Sequence, residues 1–151
     1  MIGRKGRYMM NRNDMIQAVR KNPVFYLATM DGNQPRVRGM LLYSAGDDGI
    51  IFHTAKQRDL FAQIMKNNMV ELCFNADGAQ IRISGKLELV EDDLLKDKIA
   101  SDPSRAFLAP WRNSVSAGEF HAQFAVFKMT KGHVTVWTME RNLEPKIEFE
   151  Y

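Results

Sequence analysis

The sequence predicts a small α+β protein that is mainly β, an antiparallel barrel with helices set between its strands. Six or seven short segments rich in β-favouring residues are separated by turn signals such as Asp31-Gly32 and Asp77-Gly78. Three amphipathic segments lie between them, which argues against a parallel sheet. With 151 residues, 45% of them hydrophobic, we expect one domain over residues 1–151, with a flexible basic terminus at residues 1–11.

The first helix and strand are predicted from capping and β propensity. Asn13 or Asp14 can cap a helix, and Lys21-Asn22-Pro23 ends it because the residue before proline avoids helical geometry. Residues 24–30 (VFYLATM) then form a strand, and Asp31-Gly32 turns the chain. The apolar face of the helix consists of Met15, Ile16 and Val19.

The stretch from residue 35 to residue 65 is the unit around which the other elements are arranged. Residues 35–45 are predicted as a strand, residues 46–49 (GDDG) as a turn and residues 50–54 as a second strand. A helix follows from Arg58 onward. Its predicted apolar face consists of Leu60, Phe61, Ile64 and Met65.

Four cations stand at the joints of this unit. Arg36 and Arg38 are two residues apart on a strand and therefore leave the same face. Lys56 and Arg58 stand at the helix start, where the helix dipole disfavours positive charge. Two interpretations remain open from spacing alone: a phosphate cradle formed with the helix N-terminus, or four solvated surface charges.

The second half of the chain is predicted as strand, helix, irregular segment and hairpin. Residues 69–75 and 80–90 are strands, the latter with clear alternation. Residues 91–101 are helical, and residues 103–118 are irregular. Residues 120–130 and 133–140 form the last hairpin, turned by Lys131-Gly132, and residues 142–151 form edge or surface structure. The residues predicted to pack inward from the helix are Leu94, Leu95 and Ile99.

Three large apolar residues stand in the segment predicted to be irregular, namely Phe107, Leu108 and Trp111. Such groups must cover something, and three possibilities remain open: the barrel end, a partner subunit, or a bound ring. Trp111 is the candidate for contact with a substrate.

Composition excludes several classes of function. The single cysteine, Cys73, excludes an internal disulfide, and three scattered histidines show no metal-ligand spacing. No apolar run approaches the roughly 20 residues of a membrane span, so we expect a cytoplasmic protein without membrane contact. A net charge of +3 gives no strong argument for nucleic-acid binding. No acid, base or nucleophile constellation is recognisable, so the catalytic residues are unknown.

The order of motifs resembles that of the pyridoxamine 5′-phosphate oxidase-like superfamily of FMN-binding split barrels. The resemblance rests on GNQPRVRGMLL, the turn, IFHTAKQRDLFAQI and the strand that follows, and it covers roughly residues 24–91. It implies a six- to seven-stranded Greek-key split barrel that pairs as a homodimer, with FMN at the subunit interface.

The resemblance also implies roles for individual residues. It assigns Arg38 to the FMN phosphate, with Lys56 and Arg58 completing the grip, since Arg58-Asp59-Leu60 stands where the family carries Ser-Arg-Lys. The remaining residues implied at the cofactor are Gly39, Met40 and Leu41 beside the flavin ring, His53 and Thr54 at the strand end, and Gln80 on the ring.

The implied function is an FMN-dependent oxidoreductase or reductase acting on a small molecule, with NAD(P)H as a possible electron donor. Pyridoxine metabolism is not expected, because the final residues 142–151 lack the Arg-containing motif of the true oxidases. One alternative is a non-catalytic FMN-binding or general-stress module. Another is a barrel that binds haem or a deazaflavin, in which case haem would need His53, His121 or His133 as its axial ligand.

Overall fold

The computed structural model describes residues 10–151. Most of the terminus expected to be flexible, residues 1–11, therefore lies outside the described residues. Of its last two residues, Met10 is buried in the core and Asn11 caps the first helix.

The described residues form ten strands in two antiparallel sheets. A six-stranded sheet has the order β10-β9-β6-β5-β1-β2, and a four-stranded sheet has the order β3-β4-β8-β7. The strands are β1 (Val24–Asp31), β2 (Gln34–Leu41), β3 (Ser44–Gly46), β4 (Gly49–Ala55), β5 (Met69–Ala76), β6 (Ala79–Lys86), β7 (Glu88–Val90), β8 (Phe124–Met129), β9 (Gly132–Thr138) and β10 (Ile147–Glu150).

Five α-helices accompany these strands, one before β1 and the other four between strands. None in the described chain is long and apolar enough to cross a membrane. They are α1 (Arg12–Lys21), α2 (Asp59–Lys66), α3 (Asp93–Ser101), α4 (Ala109–Ser114) and α5 (Ala117–Gln123), with 3-10 turns at Pro103–Leu108 and Met139–Arg141. The predicted α+β class is confirmed, with more elements than the expected six or seven strands and three helices.

Helix α1 begins earlier than predicted. The Asn11 side chain accepts a hydrogen bond from the Asp14 amide at 2.9 Å, and the Asp14 carboxylate accepts one from the Asn11 amide at 3.2 Å. This reciprocal capping box makes Asn11 the cap and Asp14 its second member. The prediction of Asn13 or Asp14 as the cap was wrong, whereas the end of the helix at Lys21 is as expected.

Two predicted strands are each divided between the two sheets. The chain crosses from one sheet to the other at Leu42, between β2 and β3, and at Leu87, between β6 and β7. Both leucines are buried, so the hydrophobic pattern continues through each crossing and does not reveal it. The chain changes sheet again between β8 and β9, so these strands do not form the predicted hairpin. Strand β8 pairs with β4 and β7, and β9 pairs with β6 and β10.

The main core lies between the two sheets. Phe25 of β1 and Phe74 of β5 stack with ring centroids 4.9 Å apart, and Phe52 of β4 meets Phe25 edge-on at 5.4 Å. Because strand residues alternate between faces, Phe52 and Thr54 face this core, whereas His53 faces the opposite side of the four-stranded sheet.

A second apolar cluster fills the opposite side of the four-stranded sheet, beneath the helices after β7. It contains Ile99, Leu108, Phe120, Phe124 and Val126. The segment predicted to be irregular contains a 3-10 turn and α4, and the segment predicted as strand from Phe120 begins as α5. Packing against this sheet face stabilises these short helices, whose sequences carry little periodicity of their own.

Three further details differ from the sequence-based expectations. Leu94, predicted to pack inward, is 82% exposed, while Lys96 is buried in its place. Met65, predicted on the buried face of α2, is also exposed. The prediction for the last segment is confirmed, because β10 is an edge strand on β9 and the Tyr151 hydroxyl donates a hydrogen bond to the Gly46 carbonyl.

Candidate functional site

Arg38 forms the centre of a polar cluster that joins β2, β1 and α2. Its Nη1 donates to the Thr29 hydroxyl at 2.7 Å and to the Leu27 carbonyl at 3.2 Å, and its Nη2 donates to Gln63 Oε1 at 2.7 Å. Thr29 itself donates to the same Gln63 oxygen at 2.7 Å. The guanidinium is thereby held at a fixed position between the edge of the sheet and the side of α2.

The Arg38 guanidinium keeps both its charge and spare donors. A guanidinium has five N–H groups, and three donor contacts are made within the described chain. No carboxylate of residues 10–151 pairs with it; partial burial, and then the nearby Arg36, lower the pKa of Arg38. An anion that approaches this partly exposed group would meet an uncompensated cation with donors available.

Strand β2 next to this cation is an edge strand, hydrogen-bonded to β1 alone. Alternate N–H and C=O groups of such a strand are free of the ladder. Gly39 is exposed and lies opposite Tyr26 of β1, and a Cβ at this position would meet the Tyr26 ring at an ordinary 3.9 Å. Leu41 shares the face of Gly39, whereas Met40 packs on the core. The edge therefore presents a flat surface with amide donors and acceptors.

The joint between β4 and α2 holds the remaining residues predicted for the phosphate. Thr54 is buried against the core. Arg58 is the exposed N-cap residue of α2 and forms no side-chain capping bond. Its side chain has no hydrogen bond or ion pair with the described residues. The first N–H groups of α2 and the Arg58 cation are thus available together.

Lys56, predicted to complete the phosphate grip, is already paired. Its Nζ lies 2.8 Å from Glu91 Oε1, and the buried Lys96 lies 2.7 Å from Glu91 Oε2. Lys96 also donates to the His121 carbonyl at 2.6 Å. Hydrogen bonds from Lys56 and then Lys96 lower the pKa of the Glu91 carboxyl. The positive charge of Lys56 is therefore partly compensated before any ligand arrives.

His53 lies in the second cluster, on the opposite face of β4 from Thr54. Its Nε2 accepts a hydrogen bond from Arg105 Nε at 2.9 Å. Burial, and then the Arg105 charge, lower the pKa of His53 to about 4. The imidazole is therefore neutral at pH 7, with its proton on Nδ1.

Trp111 covers the second cluster. Its ring packs edge-on against Phe120 and Phe124 at centroid distances of 5.0 and 5.9 Å, and its Nε1 donates to Gln123 Oε1 at 3.2 Å. Leu108 is buried beside it, whereas Phe107 is exposed. Contact between Trp111 and a substrate stays a prediction.

Gln80 lies apart from Arg38 within one chain. It is exposed on β6, opposite Asn75 and Trp137, and β5 and β1 separate it from β2. Three strand spacings amount to about 14 Å. Gln80 also faces away from the core, whereas the Arg38 side chain shares the core face with Leu27 and Thr29.

The three histidines are all engaged with other side chains. His121 Nε2 lies 2.8 Å from Asp97, and the ring nitrogens of His133 lie 2.6 Å from Glu150 and 3.1 Å from Glu148. Among the described residues, no group of three or more His, Cys, Asp or Glu side chains could hold a metal ion.

Sequence reasoning missed four residues of this region: Thr29, Gln63, Glu91 and Arg105. Thr29 had a usable signal, since it is the polar residue on the buried face that Phe25 and Leu27 begin. Gln63, Glu91 and Arg105 had none, because each meets its partner through the tertiary fold.

Comparison with known proteins gives a consistent picture. Residues 13–138 match the family described as pyridoxamine 5′-phosphate oxidase. A pyridoxine/pyridoxamine 5′-phosphate oxidase from Agrobacterium fabrum is 30% identical over 110 residues, which are 69% of this chain and 53% of that relative. The chain thus spans about half the length of this curated relative.

Solved structures share the fold. A NimC/NimA family protein from Clostridium acetobutylicum superposes with a TM-score of 0.73 at 23% identity, covering 95% of this chain and 96% of that one. A pyridoxamine 5′-phosphate oxidase-related, FMN-binding protein from Nostoc punctiforme superposes with a TM-score of 0.60 at 18% identity, covering 97% and 92%. At these identities the likeness confirms the split-barrel fold.

Proposed function

This chain belongs to the pyridoxamine 5′-phosphate oxidase family, and we propose that it is an FMN-binding flavoprotein that oxidises or reduces a small molecule. When bound, FMN supplies the hydride or electron chemistry. The protein's part is then to hold the phosphate, to orient the ring and to shape the surface where a substrate lies. This division of work fits a sequence in which no acid, base or nucleophile constellation is recognisable.

The observation that carries the proposal is the state of Arg38. It is a cation without a carboxylate partner in the described chain, it is fixed by Thr29 and Gln63, and it keeps spare N–H donors. Such a group suits a phosphate dianion. We assign the phosphate to Arg38, supported by Arg58 and the uncapped start of α2, with Thr54 at the end of β4. Lys56 joins only if it leaves Glu91.

The ring is assigned to the free edge of β2. Residues 39–41 offer unpaired backbone donors and acceptors, which match the amide-like edge of an isoalloxazine. The missing side chain of Gly39 leaves the surface beside Tyr26 open to a flat group. The side chain of His53 faces the second cluster. We therefore assign to the flavin site only the backbone of His53, at the end of β4.

We also propose a homodimer formed through the outer face of the six-stranded sheet, the face turned away from the core. Exposed apolar side chains on this face include Tyr26 (51% exposed) and Val37 (68% exposed). Arg82 lies on the same face, and its buried Nε has no hydrogen-bond partner within the described chain. Arg82 lies opposite Cys73 of the neighbouring strand β5, and Glu71 is exposed two residues before Cys73. Glu71 supplies the charge complementary to Arg82 of a second copy.

A dimer of this kind would complete the cofactor site. Gln80 lies on the outer face and is about 14 Å from β2 in its own chain, so it can contact a flavin ring held by the partner. Light scattering after size exclusion should give twice the chain mass of 17.3 kDa. We expect Arg82→Glu to weaken the dimer and Glu71→Arg in the same chain to restore it. A monomeric native protein would contradict the assembly.

The experiment that tests the cofactor is an absorption spectrum of the freshly purified protein, followed by heat release and chromatography of the bound compound. We expect a yellow protein that releases FMN. A colourless protein that also fails to bind added FMN would contradict the proposal. A Soret band would favour haem, which would require one of the engaged histidines to leave its present partner.

Turnover is tested separately from binding. NAD(P)H oxidation in the presence of a panel of small-molecule acceptors should exceed the rate of free FMN at equal concentration. If the protein binds FMN tightly yet never exceeds that rate with any donor or acceptor, the oxidoreductase part of the proposal fails and a flavin-carrying module remains.

A further inference from the structure

The geometry points to Arg105 as a positioning residue that ties the end of β2, on the ring side of the proposed flavin site, to the end of β4, on its phosphate side. This inference rests on the proposed function. Arg105 lies in the 3-10 turn Pro103–Leu108, far along the chain from β2 and β4. It is only 3% exposed, so it acts through other residues rather than by contact with a ligand.

One contact of Arg105 holds the point where the chain leaves β2. Its Nη2 donates to the Leu42 carbonyl at 2.7 Å, and its guanidinium lies over the Tyr43 ring at 5.5 Å from the centroid. Leu42 follows directly after residues 39–41, and its amide bonds to the Pro23 carbonyl. From Tyr43, whose amide bonds to Ile51, the chain belongs to the other sheet. Arg105 therefore holds in place the point at which the chain leaves the edge strand β2 and crosses to the other sheet.

A second contact holds the end of β4. Arg105 Nε donates to His53 Nε2 at 2.9 Å, one residue before Thr54 and five before Arg58. The low pKa of His53 keeps this nitrogen an acceptor at neutral pH. A single rigid, planar group thus sets the spacing between the β2 crossing and the strand that leads to α2.

The charge of Arg105 is not paired: no carboxylate of the described residues makes an ion pair with it. Its remaining contact is a hydrogen bond from Nη1 to the Ser104 hydroxyl at 2.9 Å. Burial is the largest cause that lowers its pKa, while Asp102 raises it from a distance. A buried cation with carbonyl, imidazole and hydroxyl acceptors is a costly arrangement for packing alone.

The consequence is a signature that differs from that of a phosphate ligand. Loss of a phosphate ligand weakens FMN and spares riboflavin, which has no phosphate. Loss of the tie at Arg105 should misplace the ring side together with the end of β4, and should therefore weaken riboflavin as well as FMN. We expect Arg105→Met to lose about tenfold in affinity for each flavin, which corresponds to the loss of about one hydrogen bond.

The test measures FMN and riboflavin dissociation constants for the native protein, Arg105→Met, Arg105→Lys and Arg112→Met. Arg112 is the matched control, a cation on the neighbouring helix α4 that pairs with Asp97 at 3.3 Å and touches neither strand end. Arg105→Lys keeps the charge but cannot reach Leu42 and His53 in one plane, so it should show the same direction if Arg105→Met fails to fold.

Hydrogen exchange of the flavin-free proteins gives a readout independent of the cofactor. Peptides containing residues 42–43 and 53–55 should exchange about tenfold faster in the Arg105 variants and at the native rate in Arg112→Met. Native affinity of a folded Arg105 variant for both flavins would overturn the inference while leaving the proposed function intact. Selective loss of FMN would overturn it as well. A native protein that binds neither flavin would overturn the proposed function and this inference together.

Discussion

Two arginines in this molecule donate three hydrogen bonds each and have no carboxylate partner among the described residues, yet their surroundings differ. Arg38 is partly exposed beside the free edge of β2 and holds Thr29 and Gln63. Arg105 is enclosed beneath the helices and holds Leu42 and His53. The two lie on opposite sides of the strand ends that form the proposed site.

The difference lies in where the unused donors of each guanidinium point. At Arg38 they meet solvent or a ligand, because the group is partly exposed at the edge of the sheet. At Arg105 the protein encloses them, so no ligand can reach the charge. An unpaired arginine is therefore a binding group or a tie according to its exposure, and the two roles predict different losses on substitution.

The largest expected effect is on folding stability at Arg105. Arg105→Met leaves the Leu42 carbonyl and His53 Nε2 without their donor, and we expect the free energy of unfolding to fall by about 3 kcal/mol. Arg38→Ala should cost about 1 kcal/mol, because Thr29 and Gln63 still bond to each other. Urea denaturation of both variants measures the difference, and equal losses would contradict the distinction.

The buried contact between His53 and Arg105 should make the stability of the protein depend on pH. His53 has a pKa of about 4 in the folded chain and about 6.5 when unfolded. The unfolded state therefore binds more protons between these values, and stability should fall by up to about 3 kcal/mol as the pH drops from 6.5 to 4. Denaturation of native protein and His53→Gln at several pH values isolates this part, which should be missing from the variant.

A smaller effect is expected for Glu91, whose substitution tests whether Lys56 belongs to the phosphate site. Glu91→Gln removes the charge that pairs with Lys56 and with the buried Lys96, so we expect a loss of about 2 kcal/mol in stability. Release of Lys56 should strengthen FMN about threefold and leave riboflavin unchanged. Titration of both flavins checks this, and unchanged FMN affinity would remove Lys56 from the phosphate site.

The smallest expected effect is at His133, an exposed counterpart to His53. Hydrogen bonds that the His133 ring donates to Glu150 and then to Glu148 raise the pKa of His133. Its contribution to stability is present below its unfolded pKa and is lost as the pH rises through the raised value. Protection of the β10 amides, the exchange rate in an unfolded chain divided by the rate in the protein at the same pH, should fall over that range, less so at high salt. Protection equal to that of His133→Gln at every pH would contradict this.

The sequence was informative where a strand has one buried face. Residues 24–30 and 69–75 alternate as the structure shows. Spacing placed Arg36 and Arg38 on one strand face, while the phosphate role of Arg38 came from the family resemblance and stays a prediction. It was uninformative at Leu42 and Leu87, where buried residues continue the pattern through a change of sheet. Gln63, one partner of Arg38, lies on α2, and Glu91, the partner of Lys56, directly follows β7, so spacing along the chain could not pair them.

Arg105 illustrates the limit most clearly. Its segment was predicted to be irregular, because PSRAFL carries no helical period and its turn forms only against the sheet face beneath it. A buried arginine has no local signal, since its acceptors on β4 and at the β2 crossing are 52 and 63 residues away along the chain.

The central claim is that Arg38 binds the FMN phosphate, and it is tested most directly by titrating native protein and Arg38→Ala with FMN and with riboflavin. Arg36→Ala serves as the matched control, since Arg36 lies on the same strand but is exposed and paired with Asp31 at 3.3 Å. We predict that Arg38→Ala weakens FMN by about 2 kcal/mol and leaves riboflavin at the native affinity. Unchanged FMN affinity in folded Arg38→Ala would contradict the account.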